Sequence, residues 1–167
     1  MDRKTQDMLI ALLPRVRRFA MSLTRSEADA DDLTQATVER AIAKISQWRP
    51  GSRLDSWLYK IAQNLHLNEQ RRHSVRRREA GAVKMAQFTV IEGGGEAASD
   101  LNRLQNRIAA LPEEQRQVLL LVAVEGYGYA EAAEIVGVPI GTITSRLARA
   151  RSALKEDAEQ RERRANG

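Results

Sequence analysis

Residues 139–155 read PIGTITSRLARARSALK, and this stretch decides how the C-terminal part of the chain folds. Ile140, Ile143, Leu147, Ala150 and Leu154 step by three and four, the spacing that lines one side of an α-helix and buries it against its neighbours. The opposite side carries Thr142, Ser145, Arg149 and Ser152, flanked by Thr144, Arg146, Ala148 and Arg151. Short side chains near a helix start allow close approach to base edges in the major groove, and arginines further along pair with guanine or phosphate. Upstream, a short helix predicted over residues 130–136 ends at Gly137, a residue suited to the left-handed position after a helix. A tight turn at Gly137-Val138-Pro139 completes the layout of a helix-turn-helix. The competing reading is a solvated face on an ordinary bundle helix.

Before this motif, Leu101, Leu104, Ile108 and Leu111 outline one helix, and Pro112 stands at the start of the next, where proline is tolerated. Val118, Leu119, Leu121 and Val122 make that second helix apolar on its inner side, and Gly126 stops it. Residues 73–99 break the pattern: a basic run, then small residues, then Gly93-Gly94-Gly95, without a sustained apolar period. They predict a flexible linker with one short ordered piece around residues 88–91.

In the N-terminal part, Met8, Leu9, Leu12, Leu13, Val16, Phe19 and Leu23 form an apolar stripe, with Pro14 expected to kink the helix or divide it in two. Ser26 is a candidate N-cap, and Glu27, Asp29, Asp31 and Asp32 suit the positive end of the helix that follows, expected to run to about Ile45. After the turn-rich segment 46–52, Leu54, Trp57, Leu58, Ile61 and Leu65 share a face of a third helix ending near Arg72. The chain is therefore expected to be all-α: a helical bundle over residues 1–72, a linker over 73–99, a helix-turn-helix domain over 100–160 and a tail over 161–167.

Composition narrows the function. Hydrophobic residues at 43% suffice for cores, while aromatics at 4% argue against a large aromatic-lined ligand pocket. Lys and Arg outnumber Asp and Glu by 27 to 22, a balance that favours a polyanionic partner such as nucleic acid. The chain has no cysteine, which removes disulfides, thiolate zinc sites and cysteine nucleophiles and fits a reducing compartment. Residues 1–4 (MDRK) lack the apolar stretch of a signal peptide, and the longest apolar runs are too short to span a bilayer, so a cytoplasmic location is expected. The two histidines, His66 and His73, sit in no metal or nucleophile motif, so no metal, cofactor or catalytic residue is expected.

Residues 111–154, LPEEQRQVLLLVAVEGYGYAEAAEIVGVPIGTITSRLARARSAL, closely resemble region 4 of the extracytoplasmic-function sigma factors of bacterial RNA polymerase. Residues 29–41, DADDLTQATVERA, and 52–64, SRLDSWLYKIAQN, resemble region 2 of the same family. The two matches stand in the family's order. Ala36, Asn68 and Ala132 depart from its commoner residues, and the Glu-Ala-Ala variant of the short helix, with the Arg-Pro-Gly turn and the Trp-Leu pair, looks most like alphaproteobacterial members, including their general-stress-response group.

The resemblance implies a non-enzymatic initiation factor. Its partners would be core RNA polymerase (the β′ clamp and the β subunit), promoter DNA and an anti-sigma factor. It places the minus-35 element at Thr142, Thr144, Ser145, Arg146, Arg149 and Arg151, and a polymerase contact at Asp31, Asp32, Gln35 and Glu39. It further implies that the turn 46–52 and the next helix cradle an unpaired base of the minus-10 element. Arg49, Ser52, Arg53, Lys60, Gln63 and Asn64 offer the hydrogen-bonding groups and basic surface that a base taken out of the stack requires. Arg71 and Arg72 lie just beyond, in the basic run RRHSVRRR, whose position favours salt-sensitive contact with promoter backbone over a merely solvated charge run. Trp57 reads as core, whereas Trp48 could either stack on a base or cap the core.

Two other classes compete. A stand-alone helix-turn-helix repressor or activator would need a self-complementary apolar dimer face, in place of the acidic helix and basic turn seen here. An enzyme would need a catalytic constellation, and Gly93-Gly94-Gly95 lacks the lysine and helix context of a phosphate loop.

Overall fold

The computed structural model describes residues 1–81 and 96–165, all in helices, turns and short connections with no strand among them. The chain divides into two compact units, residues 1–87 and 88–167.

In the first unit, α1 (Arg3–Leu23), α2 (Glu27–Ala43) and α3 (Leu54–Ala80) pack pairwise, with a single 3-10 turn (Ile45–Gln47) between α2 and α3. Asp2 caps α1 by accepting the Thr5 N–H at 2.8 Å. Pro14 does not divide α1, although a proline within a helix removes a backbone hydrogen bond and costs about 3 kcal/mol. The side chain of Pro14 is exposed, and burial of Val16, Phe19, Ala20 and Leu23 on the inner side offsets that cost. Ser26 caps α2 as expected, its Oγ accepting the Asp29 N–H at 3.1 Å, and the helix ends at Ala43 rather than near Ile45.

The bundle core closes on a stacked ring pair, Phe19 of α1 against Tyr59 of α3, with centroids 4.5 Å apart and planes inclined by 22°. Leu54, Leu58, Tyr59 and Ala62 are the buried face of α3, whereas Trp57, Ile61 and Leu65, expected on the inner face, are only half-buried. The buried face of α3 therefore sits roughly one residue's rotation away from the expected stripe.

The helix α3 also continues to Ala80, through eight residues assigned from sequence to the linker, and stops where Gly81 turns left-handed at φ 64°. Arginine is nearly as good a helix former as leucine, so the basic run extends the helix without an apolar period. The other end of that expected linker is helical too, since α4 (Glu96–Ala110) begins within it. Residues 82–95, including the short ordered piece expected around 88–91, lie outside the described residues.

In the second unit, α4, α5 (Glu113–Leu119), a π-helical turn (Leu120–Val124), α6 (Tyr129–Val136) and α7 (Ile140–Ala165) enclose Leu111, Val118, Leu121, Tyr127, Ile135, Ile143, Leu147 and Ala150. The Arg116 guanidinium ties the α4–α5 corner by donating to the carbonyls of Ala109 at 3.1 Å and Leu111 at 3.0 Å. Arg107 of α4 donates to the Leu154 carbonyl of α7. Gly126 and Gly137 take left-handed conformations at φ 73° and 79° and end the π turn and α6 respectively. After Gly137 the chain needs only Val138 and Pro139 before α7 begins, so the turn of the helix-turn-helix is as tight as expected.

Candidate nucleic-acid interface

The inner stripe of α7 is Ile143, Leu147 and Ala150, all fully buried, with Leu154 half-buried. Ile140, expected to belong to this stripe, is instead 51% exposed. It stands in the first turn of the helix, where the preceding elements do not cover it.

On the outer side, Thr144, Ser145, Ala148, Arg149, Arg151 and Ser152 are all exposed. The Ser145 hydroxyl donates to the Thr142 carbonyl at 3.1 Å, and the Thr144 hydroxyl donates to the Ile140 carbonyl at 3.2 Å. Both hydroxyls are turned back onto the helix in this state. Thr142 is half-buried at the edge of the face. Arg146 points elsewhere: its side chain is only 17% exposed and its guanidinium lies 3.5 Å from the Glu114 carboxylate of α5. Of the six residues proposed from sequence for this face, the structure brings together Thr144, Ser145 and Arg149, leaves Thr142 at the rim, turns Arg146 inward, and exposes Arg151 about 160° around the helix from Arg149.

The second cluster surrounds the turn between α2 and α3. Gly51 adopts φ 90°, and Ser52 closes the turn by donating from both N–H and Oγ to the Arg49 carbonyl, at 3.0 and 2.7 Å. Arg49, Ser52 and Arg53 are exposed. Arg53 is nevertheless anchored, its Nη2 lying 3.1 Å from Oδ2 of Asp55, and Arg15 of α1 reaches the same oxygen at 2.9 Å. Asp55 is the buried hub of this network, since it also accepts the Ser56 N–H at 2.8 Å. The Trp48 side chain is half-buried, with its indole N–H enclosed and without a hydrogen-bond partner among the described residues.

Beside this turn lies a groove of about 370 Å³ lined by Arg40, Lys44, Gln47, Trp57, Lys60, Ile61, Asn64, Leu65 and Asn68. It combines an apolar floor with three cations and carries no acidic group, which suits a nucleobase and its phosphate. Lys60 and Asn64 lie in it as expected from sequence. Gln63 does not, being buried on the opposite flank of α3. Arg40, Lys44 and Gln47 had not been expected here. Their spacing along α2 and the next turn was visible, but only the tertiary approach of α3 identifies it as a wall. Arg71 and Arg72 are exposed on the continuation of α3, with Arg72 3.9 Å from Glu69.

The acidic side of α2 is partly engaged within the chain. Asp31 accepts Arg17 Nε at 2.7 Å, and this hydrogen bond, followed by the charge of Asp31, raises the Arg17 pKa above its ordinary value. Gln35 donates to Glu39 at 2.9 Å one turn on, and Asp32 is exposed. No group of metal-binding side chains occurs among the described residues, and none of their helices is long and apolar enough to cross a membrane.

Two helical units, one ending in an exposed-face helix-turn-helix and one holding a basic groove, define a DNA-binding protein of the sigma type. Comparisons agree. The family model for sigma-70 region 4 matches residues 101–154, and that for the sigma2 domain of PhyR matches residues 9–63. The chain is 38% identical to the ECF RNA polymerase sigma factor EcfG of Rhodopseudomonas palustris over 89% of its own length and 82% of that protein's. It is also 38% identical to the ECF RNA polymerase sigma factor SigC of Mycobacterium tuberculosis, covering 86% of this chain and 77% of that one. Among solved structures, the sigma factor RpoE of Bartonella quintana, in complex with the anti-sigma factor NepR, superposes with a TM-score of 0.76 at 30% identity, covering 93% of this chain and 96% of the other. The chain belongs to the extracytoplasmic-function sigma factors of RNA polymerase.

Proposed function

We propose that this chain docks on core RNA polymerase and directs initiation by gripping two promoter elements, the second unit reading minus-35 and the first capturing an unpaired minus-10 base. The observation that carries this reading is the pairing of two unlike DNA surfaces in one sigma-factor chain. The exposed α7 face (Thr144, Ser145, Arg149) suits duplex base edges and phosphates, with Arg151 exposed to one side of it, and the concave groove at α2 and α3 suits a single base. Within the groove, Lys60, Asn64, Arg40 and Lys44 are the residues assigned to the base and its strand, and Arg49 and Ser52 are exposed in the turn that precedes α3. Asp32, Gln35 and Glu39 present the acidic face to polymerase.

The family of this chain supplies non-catalytic initiation subunits, and we infer that this one likewise leaves all bond-making to the polymerase. We also propose an anti-sigma factor as a regulator, as the Bartonella quintana relative has. A sigma-like protein that served only to bind such a regulator would have no use for the outward arginines of α7.

The test is selection of promoter DNA from a random library by the chain alone and by the chain bound to core polymerase. Recovery of a two-part element only with polymerase is expected. Tight, sequence-specific capture of duplex DNA by the isolated chain would favour a stand-alone helix-turn-helix regulator.

A further inference from the structure

Ile140, Thr144 and Ala148 follow one another at four-residue intervals along α7, and all three are exposed. Successive members stand about 6 Å apart along the axis and drift by only about 40° around it, so they form a continuous ridge. The hydrogen bond from the Thr144 hydroxyl to the Ile140 carbonyl, at 3.2 Å, turns that hydroxyl toward the backbone and leaves its methyl group outward. The ridge is therefore apolar apart from a hydroxyl already engaged with the backbone. It runs beside the polar line Ser145, Arg149 and Ser152, and Arg151 borders it on the other side.

Ile140 keeps about half of its surface in water at the start of this helix, where it is open to an apolar partner. The one apolar group that a base pair shows in the major groove is the C5-methyl of thymine. We propose that Ile140 and Thr144, continued by Ala148, recognise thymine methyl groups in the minus-35 element, so that this ridge sets preference for A·T pairs while Ser145 and Arg149 serve the polar edges and phosphates. This rests on the assignment of α7 to the minus-35 element.

Deoxyuridine differs from thymidine only by the missing methyl, which isolates the contact. Polymerase holoenzyme containing this chain is titrated against a library-selected promoter in which minus-35 thymines are replaced by deoxyuridine one at a time and together. Loss of one buried methyl predicts about fourfold weaker binding at each thymine the ridge meets. The double variant Ile140→Ala, Thr144→Ser, checked for unchanged helicity, should bind the thymine promoter more weakly and no longer distinguish it from the deoxyuridine one. Its minus-10 dependence should be unaltered.

A selected element without A·T pairs, an absence of any deoxyuridine effect, or an equal effect in the double variant would overturn the proposal. Failure of the parent assignment looks different: scrambling the whole minus-35 element would then leave wild-type binding unchanged.

Discussion

Arg146 and Arg149 are three residues apart on one helix, yet the structure assigns them opposite duties. Arg149 is exposed, with no hydrogen bond or ion pair among the described residues, whereas Arg146 is 17% exposed and paired with Glu114 at 3.5 Å. Replacing Arg149 by Ala removes one phosphate or base contact, which is worth about 1–3 kcal/mol, or roughly 5- to 150-fold in promoter affinity. Stability should move by less than about 0.5 kcal/mol, as for other exposed substitutions. Replacing Arg146 by Ala breaks an ion pair whose Glu114 partner is 68% exposed, so solvent screening limits the electrostatic loss to about 1 kcal/mol at most. Loss of the arginine's packed stem adds to it.

The assay is paired: fluorescence anisotropy of holoenzyme on a minus-35 duplex, and urea melts of the free chain. Arg149→Ala should fall only in the first and Arg146→Ala mainly in the second, with Glu114→Gln reproducing part of the Arg146→Ala destabilisation. A larger affinity loss for Arg146→Ala than for Arg149→Ala, at unchanged stability, would overturn this division and return Arg146 to the DNA face.

Three further outcomes are expected. Asp55→Ala leaves two arginines without their shared acceptor and should destabilise the first unit by about 1.5–3 kcal/mol in urea melts, while weakening minus-10 capture more than minus-35 binding. Gly137→Ala forces a side chain into a left-handed conformation at φ 79° and should cost about 1–2 kcal/mol, read as a lower melting temperature of the second unit with reduced minus-35 affinity. The Asp2 carboxyl is held below its ordinary pKa of 3.8 by hydrogen bonds from the Thr5 side chain and backbone. Its cap is therefore fully present above that value and is lost as pH falls through the lower folded one, so Asp2→Asn should flatten the acid limb of α1 helicity followed by circular dichroism.

Much of this was legible in the residues alone because local rules dominated. Ile143, Leu147 and Ala150 carry the period of a buried stripe, Ser26 caps α2, and Gly137 ends α6, each through contacts within a few positions. What escaped depended on distant partners. Ile140 obeys the stripe's spacing yet is exposed, because at the first turn of α7 no other element covers it. The inward turn of Arg146 depends on Glu114, a residue of a different helix. Arg40 and Lys44 become a groove wall only when α3 packs against α2, and the burial of Gln63 follows from the same rotation of α3. The basic residues beyond Arg72 lacked an apolar period, and it is intrinsic propensity with the Gly81 stop that keeps them helical.

On the function proposed above, two units of one sigma factor engage two promoter elements on polymerase. Run-off transcription by core polymerase, with and without this chain, on a template carrying both selected elements and on templates with either one scrambled tests it most directly. A specific transcript is expected only when the chain is present, with a marked drop when either element is scrambled. Equal transcript from core polymerase alone, or indifference to scrambling, would contradict it.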